Sequence, residues 1–149
     1  MKKNQISPSE WEIMRVIWTN YPITSKEINE MLKEKTTWEI STTKTLIGRL
    51  VNKGMIDYEL KGRMYVYYPT LSEKECIRNK ITELFNQVCG TENKVILKMI
   101  LEDIPLSLTD IESVEAVIEE KKKTAPAEVV CECVKGQCHC SLNRDLKSL

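Results

Sequence analysis

The amino-acid sequence predicts a mainly α-helical fold with one small β-hairpin, and three patterns support this prediction. Helix-capping signals of the form Ser/Thr-x-x-Glu precede several amphipathic segments. Two β-prone runs flank a single glycine-containing turn. Four cysteines lie within ten residues near the C-terminus, in a segment without helical periodicity. The 149-residue chain is therefore expected to divide into residues 1–70, 71–123 and 124–149.

The first two helices are predicted from capping boxes. Ser7 and Glu10 flank Pro8, which is well tolerated in the first turn of a helix, and apolar side chains then repeat at helical spacing. Thr24 and Glu27 form a second box before a shorter amphipathic segment. Two capped helices this close in the sequence predict a helical hairpin.

A third helix is predicted to begin near Ser41 or Thr42 and to end at Gly54, because glycine readily adopts the left-handed conformation that ends helices. At about 100° per residue, this helix has an apolar side and a polar side. The apolar side comprises Thr43, Leu46, Ile47 and Leu50. The polar side and its rim comprise Thr42, Lys44, Thr45, Gly48, Arg49 and Asn52.

The β-prone runs 55–59 and 64–68 lie on either side of a turn that contains Gly62. Three helices followed by a hairpin predict a winged helix-turn-helix, whose second hairpin helix enters the DNA major groove. The candidate DNA-binding residues are Thr42, Lys44, Thr45 and Arg49 on the helix and Lys61 and Arg63 at the turn. Eleven basic against eight acidic residues in 1–69 give only a mild positive charge, so a solvated polar face is the alternative.

Gly48 is an unusual residue in the interior of this helix, because glycine costs about 1 kcal/mol relative to alanine there. Its lack of a side chain would let the helix lie close to DNA. Alternatively, it relieves a packing contact inside the protein.

The next segment is expected to form a helical dimerisation domain. Three amphipathic helices are predicted, over 72–90, from about 91 to 103, and from near Thr109 to Lys123. About fifty residues bury little apolar surface alone, so their apolar faces are expected to pack across a two-fold axis against a second copy. A homodimer would carry two recognition helices that match a palindromic operator in double-stranded DNA.

The C-terminal cysteines have the spacing C-x-C-x4-C-x-C and are Cys131, Cys133, Cys138 and Cys140. In an extended segment each C-x-C directs two sulfurs to one face, and Gly136 favours a reversal between the pairs. Four thiolates suit Zn(II), and the close spacing also favours Cu(I). A structural zinc knuckle and a pair of disulfides are the alternatives. His139 is interpreted as a bystander, and Cys76 and Cys89 as small hydrophobic residues.

Other features exclude several functional classes. No apolar run approaches the ~20 residues of a membrane span, and the N-terminus lacks the apolar stretch of a secretory signal, so we expect a cytoplasmic protein without membrane contact. The chain has one histidine and neither a nucleophile elbow nor a phosphate-binding loop. The sequence therefore does not predict an enzyme.

Residues 6–14, 41–54 and 62–69 together resemble the penicillinase-repressor (BlaI/MecI) family of dimeric winged-helix repressors. Within that family, the segment CECVKGQCHC resembles the signature of CopY-type copper-responsive repressors. The resemblance implies that a zinc-loaded dimer binds the operator of copper-homeostasis genes. It also implies that Cu(I), delivered by a copper chaperone, displaces zinc at the four cysteines and releases the DNA. A metal buffer or chaperone, or a structural-zinc protein whose winged helix binds other proteins, is the alternative.

Overall fold

The computed structural model describes residues 5–140 of the chain. The first part contains α1 (Pro8–Asn20), β1 (Ile23–Thr24), α2 (Ser25–Leu32), α3 (Ile40–Asn52), β2 (Ile56–Lys61) and β3 (Met64–Pro69). It is followed by α4 (Glu73–Asn86), a 3₁₀ turn (Gly90–Glu92), α5 (Asn93–Asp103) and α6 (Leu108–Lys122). The predicted fold class, a winged helix-turn-helix followed by a helical region, is confirmed.

The backbone groups into two compact units, Met1–Asn79 and Lys80–Leu149. The predicted division at residues 70 and 123 stays a prediction, because compactness does not show which segments fold independently. None of the helices in the described part of the chain has the length and apolar character needed to cross a bilayer.

Both predicted capping boxes at the start of the chain are present. Ser7 Oγ accepts a hydrogen bond from the Glu10 amide at 3.2 Å, and the Glu10 carboxylate accepts one from the Ser7 amide at 3.2 Å. Thr24 and Glu27 make the same reciprocal pair at the start of α2. The helix α3 begins slightly earlier than predicted, at Ile40, because the backbone of Glu39 is already the extended N-cap.

The predicted two-stranded hairpin is a three-stranded antiparallel sheet with the order β1-β3-β2. The short strand β1 was not predicted, because two residues are too few to show the alternation that marks a strand. Ile23 pairs with Tyr67 and Thr24 with Val66, so β1 joins the start of α2 to the hairpin. At the hairpin turn Lys61 pairs with Met64, and Gly62 has a φ of +64°.

The core of the first unit confirms the predicted faces of α3. Thr43, Leu46, Ile47 and Leu50 are buried against apolar side chains of α1 and α2. The polar positions are exposed; they are Thr42, Lys44, Thr45, Gly48 and Arg49. Burial of one face therefore fixes which side of α3 points to solvent.

A buried hydrogen bond that the sequence did not predict holds α2 and α3 together. The Asn29 amide donates to the Thr43 hydroxyl at 2.8 Å and to the Trp38 carbonyl at 3.0 Å. Thr43 is fully buried and Asn29 is 7% exposed, so water cannot readily replace either partner. This contact sets the position of α3 relative to the helix that precedes it.

We expect Thr43→Val to lower the free energy of unfolding by about 1–3 kcal/mol, because it leaves a buried amide donor of Asn29 without an acceptor. Urea unfolding followed by circular dichroism measures the loss. Thr42→Val makes the same chemical change at an exposed position and should be nearly neutral. Equal stability of the two variants would contradict the role of the Asn29–Thr43 bond.

The helices α4, α5 and α6 are more exposed than the helices of the winged helix. The helix α4 ends at Asn86, not at Gly90 as predicted, because Cys89 adopts an extended backbone and Gly90 begins the 3₁₀ turn. No residue of α5 or α6, both within the described range, is buried. Large apolar side chains on all three helices are 37–73% exposed; they include Ile77, Ile81, Leu84, Val95, Met99, Ile100, Leu108, Ile111 and Ile118.

Candidate DNA interface and metal centre

The predicted DNA-binding residues of α3 lie on its exposed face. Lys44 and Arg49 point away from the core, as do Thr42 and Thr45. The Thr45 hydroxyl donates to the Ser41 carbonyl at 2.9 Å, which leaves its methyl group and oxygen lone pairs available to an outside partner. Contact of these residues with DNA stays a prediction.

Gly48 lies in the middle of this exposed face. A Cβ built at this position meets no heavy atom of the described structure within 4 Å beyond the helix's own backbone. The alternative that Gly48 relieves a packing contact inside the protein is therefore wrong. Because Gly48 has no side chain, the helix backbone itself is exposed at the centre of this face.

A groove of about 920 Å³ lies beside the start of α3, and Lys44 and Arg63 both line it. The structure thus brings together one residue of the predicted recognition helix and one of the predicted wing. Lys26 and Lys33 of the α2 segment add positive charge to the same groove. Sequence reasoning missed Lys26, although its place in the first turn of the helix before the recognition helix was a signal for it.

The acidic groups of this groove do not cancel its positive charge. Lys33 donates to Glu30 at 2.7 Å, and this hydrogen bond with its charge holds the pKa of the Glu30 carboxyl below its ordinary value. Glu39 is the other acidic residue that lines the groove, against Lys26, Lys44 and Arg63. The groove therefore carries the charge that phosphate groups require.

Lys61 lies in a different place from Arg63, although both belong to the hairpin. It lines a second hollow of about 490 Å³ together with Glu59 and Tyr68. The two predicted wing residues are thus not brought into one groove. Lys61 is exposed, and its predicted contact with DNA stays a prediction.

The C-terminal cysteines form one cluster of sulfur atoms in the second unit. Cys131 Sγ lies 3.6 Å from Cys138 Sγ, which lies 3.4 Å from Cys140 Sγ. Cys133 belongs to a set of four sulfurs that all lie within 4.8 Å of one another. The reversal predicted at Gly136 is present, with a φ of +90° and a hydrogen bond from the Gln137 amide to the Val134 carbonyl at 3.1 Å.

The fourth member of that set is Cys89, which was interpreted from the sequence as a small hydrophobic residue. Cys89 is buried, as that interpretation requires, but its Sγ lies 3.6 Å from Cys131 Sγ. Hydrogen bonds from the side chain and backbone of Thr91 hold the pKa of the Cys89 thiol below its ordinary value. The interpretation as a purely hydrophobic side chain was therefore wrong.

Cys76 behaves as predicted, and His139 is exposed. Cys76 belongs to the core of the first unit, where burial raises the pKa of its thiol and Glu75 and Glu73 add to the effect. All six cysteines are described, and none of them forms a disulfide. His139 points to solvent between two cluster cysteines.

The cluster fits a thiolate-binding metal ion. A zinc–sulfur bond of about 2.3 Å gives a tetrahedral sulfur–sulfur edge of about 3.8 Å. The observed separations of 3.4–3.6 Å between neighbouring sulfurs are close to that edge. Sulfur donors without a carboxylate among them favour Zn(II) or Cu(I) over hard cations.

Comparisons with known proteins agree with the first unit and the helices that follow it. The penicillinase repressor profile matches residues 6–120. An uncharacterized 16.5 kDa protein of Latilactobacillus sakei is 38% identical over 137 residues, covering 92% of this chain and 94% of that protein. The penicillinase repressor of Bacillus licheniformis is 36% identical over 124 residues, covering 82% of this chain and 96% of that protein.

The solution structure of monomeric Bacillus licheniformis BlaI in complex with the blaP half-operator is also similar. It is 37% identical, with a TM-score of 0.43, and covers 48% of this chain and 87% of that chain. The family match ends at residue 120, after Cys89 but before the four cysteines of the tail. This chain belongs to the penicillinase repressor family and carries four closely spaced cysteines beyond the matched residues.

Proposed function

We propose that this chain is a copper-responsive transcriptional repressor that binds operator DNA as a homodimer. The observation that carries the proposal is a cluster of closely spaced thiols in the same chain as a winged helix of the penicillinase repressor family. The relative from Bacillus licheniformis is named a penicillinase repressor, which supports operator binding as the shared activity. The cysteine cluster is the site at which the metal signal would act.

The winged helix binds DNA with the exposed face of α3 and the adjoining groove. Lys44 and Arg49 reach bases or phosphates, Gly48 allows the helix backbone to approach closely, and Arg63 contacts the flanking backbone. The mild charge of this unit gives weak non-specific affinity. Specific binding therefore depends on two half-sites occupied by one dimer.

The apolar faces of α4, α5 and α6 support the dimer. Ile81 is 52% and Leu84 43% exposed, and neighbouring helices expose further large apolar side chains. Large apolar side chains exposed in this number on successive helices are typical of an interaction site. A second copy offers the same surface, so a two-fold axis would cover both at once.

The cysteines of the tail hold the metal. Zinc supplies a tetrahedral, redox-inert centre, whereas Cu(I) is satisfied by two or three sulfurs, so the same thiolates hold the two ions with different geometry. Cys131, Cys133, Cys138 and Cys140 would hold zinc in the DNA-bound dimer and Cu(I) in the released form. A copper chaperone is the expected donor of Cu(I), as the resemblance to CopY-type repressors implies.

A gel-shift titration on the promoter upstream of the protein's own gene tests this proposal. The zinc-loaded protein should bind in a salt-sensitive manner and be released by stoichiometric Cu(I) but not by added zinc. Release by chelation without a selective response to Cu(I) would instead indicate a structural zinc site. Metal binding without salt-sensitive DNA binding would indicate a metal buffer.

Replacing Ile81 by aspartate should weaken the dimer, because it places a charge on the apolar face of α4. We expect a monomer in sedimentation equilibrium at concentrations where the parent chain is dimeric, and operator affinity lowered by at least about tenfold, since one half-site is then bound at a time. Thr82→Asp puts the same charge on the next residue and should retain the dimer. If the Ile81→Asp variant stays dimeric, the dimer interface does not include this face of α4.

A further inference from the structure

We propose that Cys89 supplies an additional thiolate to the metal cluster and thereby fastens the tail to the connection between α4 and α5. This inference rests on the proposed metal-binding function and identifies a ligand outside the C-x-C-x4-C-x-C segment. The sulfur of Cys89 lies within 4.8 Å of those of Cys131, Cys133 and Cys138. These residues supply the four sulfur ligands of a tetrahedral thiolate site without Cys140.

The position of Cys89 is that of a ligand held in place. Cys89 is 7% exposed. Its Sγ lies 3.6 Å from Cys131 Sγ and 3.0 Å from the Thr91 hydroxyl oxygen. Thr91 belongs to the 3₁₀ turn that follows, so the thiol is oriented by its own segment. Such support from neighbouring hydrogen bonds is typical of metal ligands.

The backbone of the tail packs directly over the residue after Cys89. A Cβ on Gly90 would lie 3.3 Å from both the Val129 Cγ1 atom and the Val130 carbonyl oxygen. Both distances are shorter than ordinary van der Waals contacts of a Cβ atom, so the chain just before Cys131 lies close against the 3₁₀ turn. A sulfur contact and a backbone contact thus join the tail to the end of α4 within the second unit.

This arrangement gives five sulfurs for a metal that needs four or fewer. Cys140 Sγ touches Cys138 Sγ at 3.4 Å and is the fifth. The inference revises the zinc ligand set of the tail alone, because an ion that takes four sulfurs would use Cys89 in place of Cys140 beside Cys131, Cys133 and Cys138. An ion satisfied by two or three sulfurs needs only cysteines of the tail. Whether Cys89 binds the metal would then depend on which ion is present. Because Cys89 lies between α4 and α5, its binding or release would affect both helices.

The test uses the full chain and counts thiolates with Co(II) as a spectroscopic probe of the zinc site. The intensity of the thiolate-to-cobalt charge-transfer absorption rises with the number of sulfur ligands. Cys140→Ala removes one tail sulfur and should keep the four-thiolate intensity, because Cys89 completes the set. Cys89→Ala combined with Cys140→Ala should lower it to the three-thiolate level and reduce zinc affinity by more than about tenfold.

The matched control combines Cys76→Ala with Cys140→Ala. Cys76 is also a buried cysteine, but it lies in the core of the first unit, so this double variant should keep four thiolates. A three-thiolate spectrum for Cys140→Ala alone would overturn the assignment of Cys89 and leave the proposed function standing. Absence of Co(II) and Zn(II) binding by the parent chain would overturn both.

A second variant tests the same contact without removing a sulfur. Gly90→Val should push against the Val129 side chain and the Val130 carbonyl oxygen and draw Cys131 away from Cys89. In the Cys140→Ala background it should lower the cobalt charge-transfer intensity as Cys89→Ala does, with circular dichroism unchanged. Full four-thiolate intensity in this variant would show that the tail does not need to lie against Gly90, which contradicts the fastening role.

Discussion

Replacing Cys131 and Cys133 by serine is expected to abolish the response of operator binding to Cu(I). Serine keeps the size of each side chain but supplies no soft sulfur ligand, so two of the closely spaced donors are lost. Cys131 is also the residue whose sulfur lies 3.6 Å from both Cys89 and Cys138. A gel-shift titration with Cu(I) under reducing conditions should give a bound fraction that stays at its starting level.

The control for this experiment is Cys76→Ala, which removes a thiol from the core of the first unit and should retain full release by Cu(I). Both variants leave the DNA-binding side chains unchanged, so any difference between them belongs to the cluster. Release of the double serine variant at stoichiometric Cu(I) would show that the cluster is not the sensor. Metal binding by the same proteins can be followed in parallel by mass spectrometry under native conditions.

Arg49→Ala is expected to weaken operator binding by about 1–3 kcal/mol for each half-site, because the guanidinium group can make paired hydrogen bonds to guanine or phosphate. Arg49 is exposed on α3, so its removal should not affect the core. Fluorescence anisotropy with a labelled operator measures the change in Kd. Sedimentation equilibrium should show the same dimer as the parent chain.

Lys94→Ala provides the matched control, since it removes one exposed positive charge from α5 and not from the winged helix. A general loss of electrostatic attraction would weaken both variants alike and vanish at high salt. A specific contact by Arg49 would weaken only the first and reduce discrimination between operator and random DNA. Unchanged operator affinity for Arg49→Ala would contradict the assignment of α3 as the recognition helix.

Signals within a few residues of one another predicted much of this molecule. The capping boxes at Ser7 and Thr24 join residues three apart, so their hydrogen bonds depend little on the rest of the fold. The exposed and buried sides of α3 follow from the helical repeat. The reversal at Gly136 follows from the conformational freedom of glycine.

Boundaries were less accurate where no such signal exists. The end of α4 was predicted at Gly90 but lies at Asn86, because apolar side chains continue at helical spacing after the backbone has left the helix. The strand β1 was missed because its two residues form a strand only through pairing with β3. The second error arises because a contact distant in sequence decides the local conformation.

The sequence by itself determined the helices, the hairpin, the polar face of α3 and the four cysteines of the tail, because each depends on a short-range repeat or spacing. Only the tertiary structure decided that Asn29 supports Thr43, that Lys44 and Arg63 share a groove, and that Cys89 joins the cluster. Cys89 and Cys131 are 42 residues apart in the chain. No local pattern specifies such a contact, because it arises from the packing of the tail against the turn after α4.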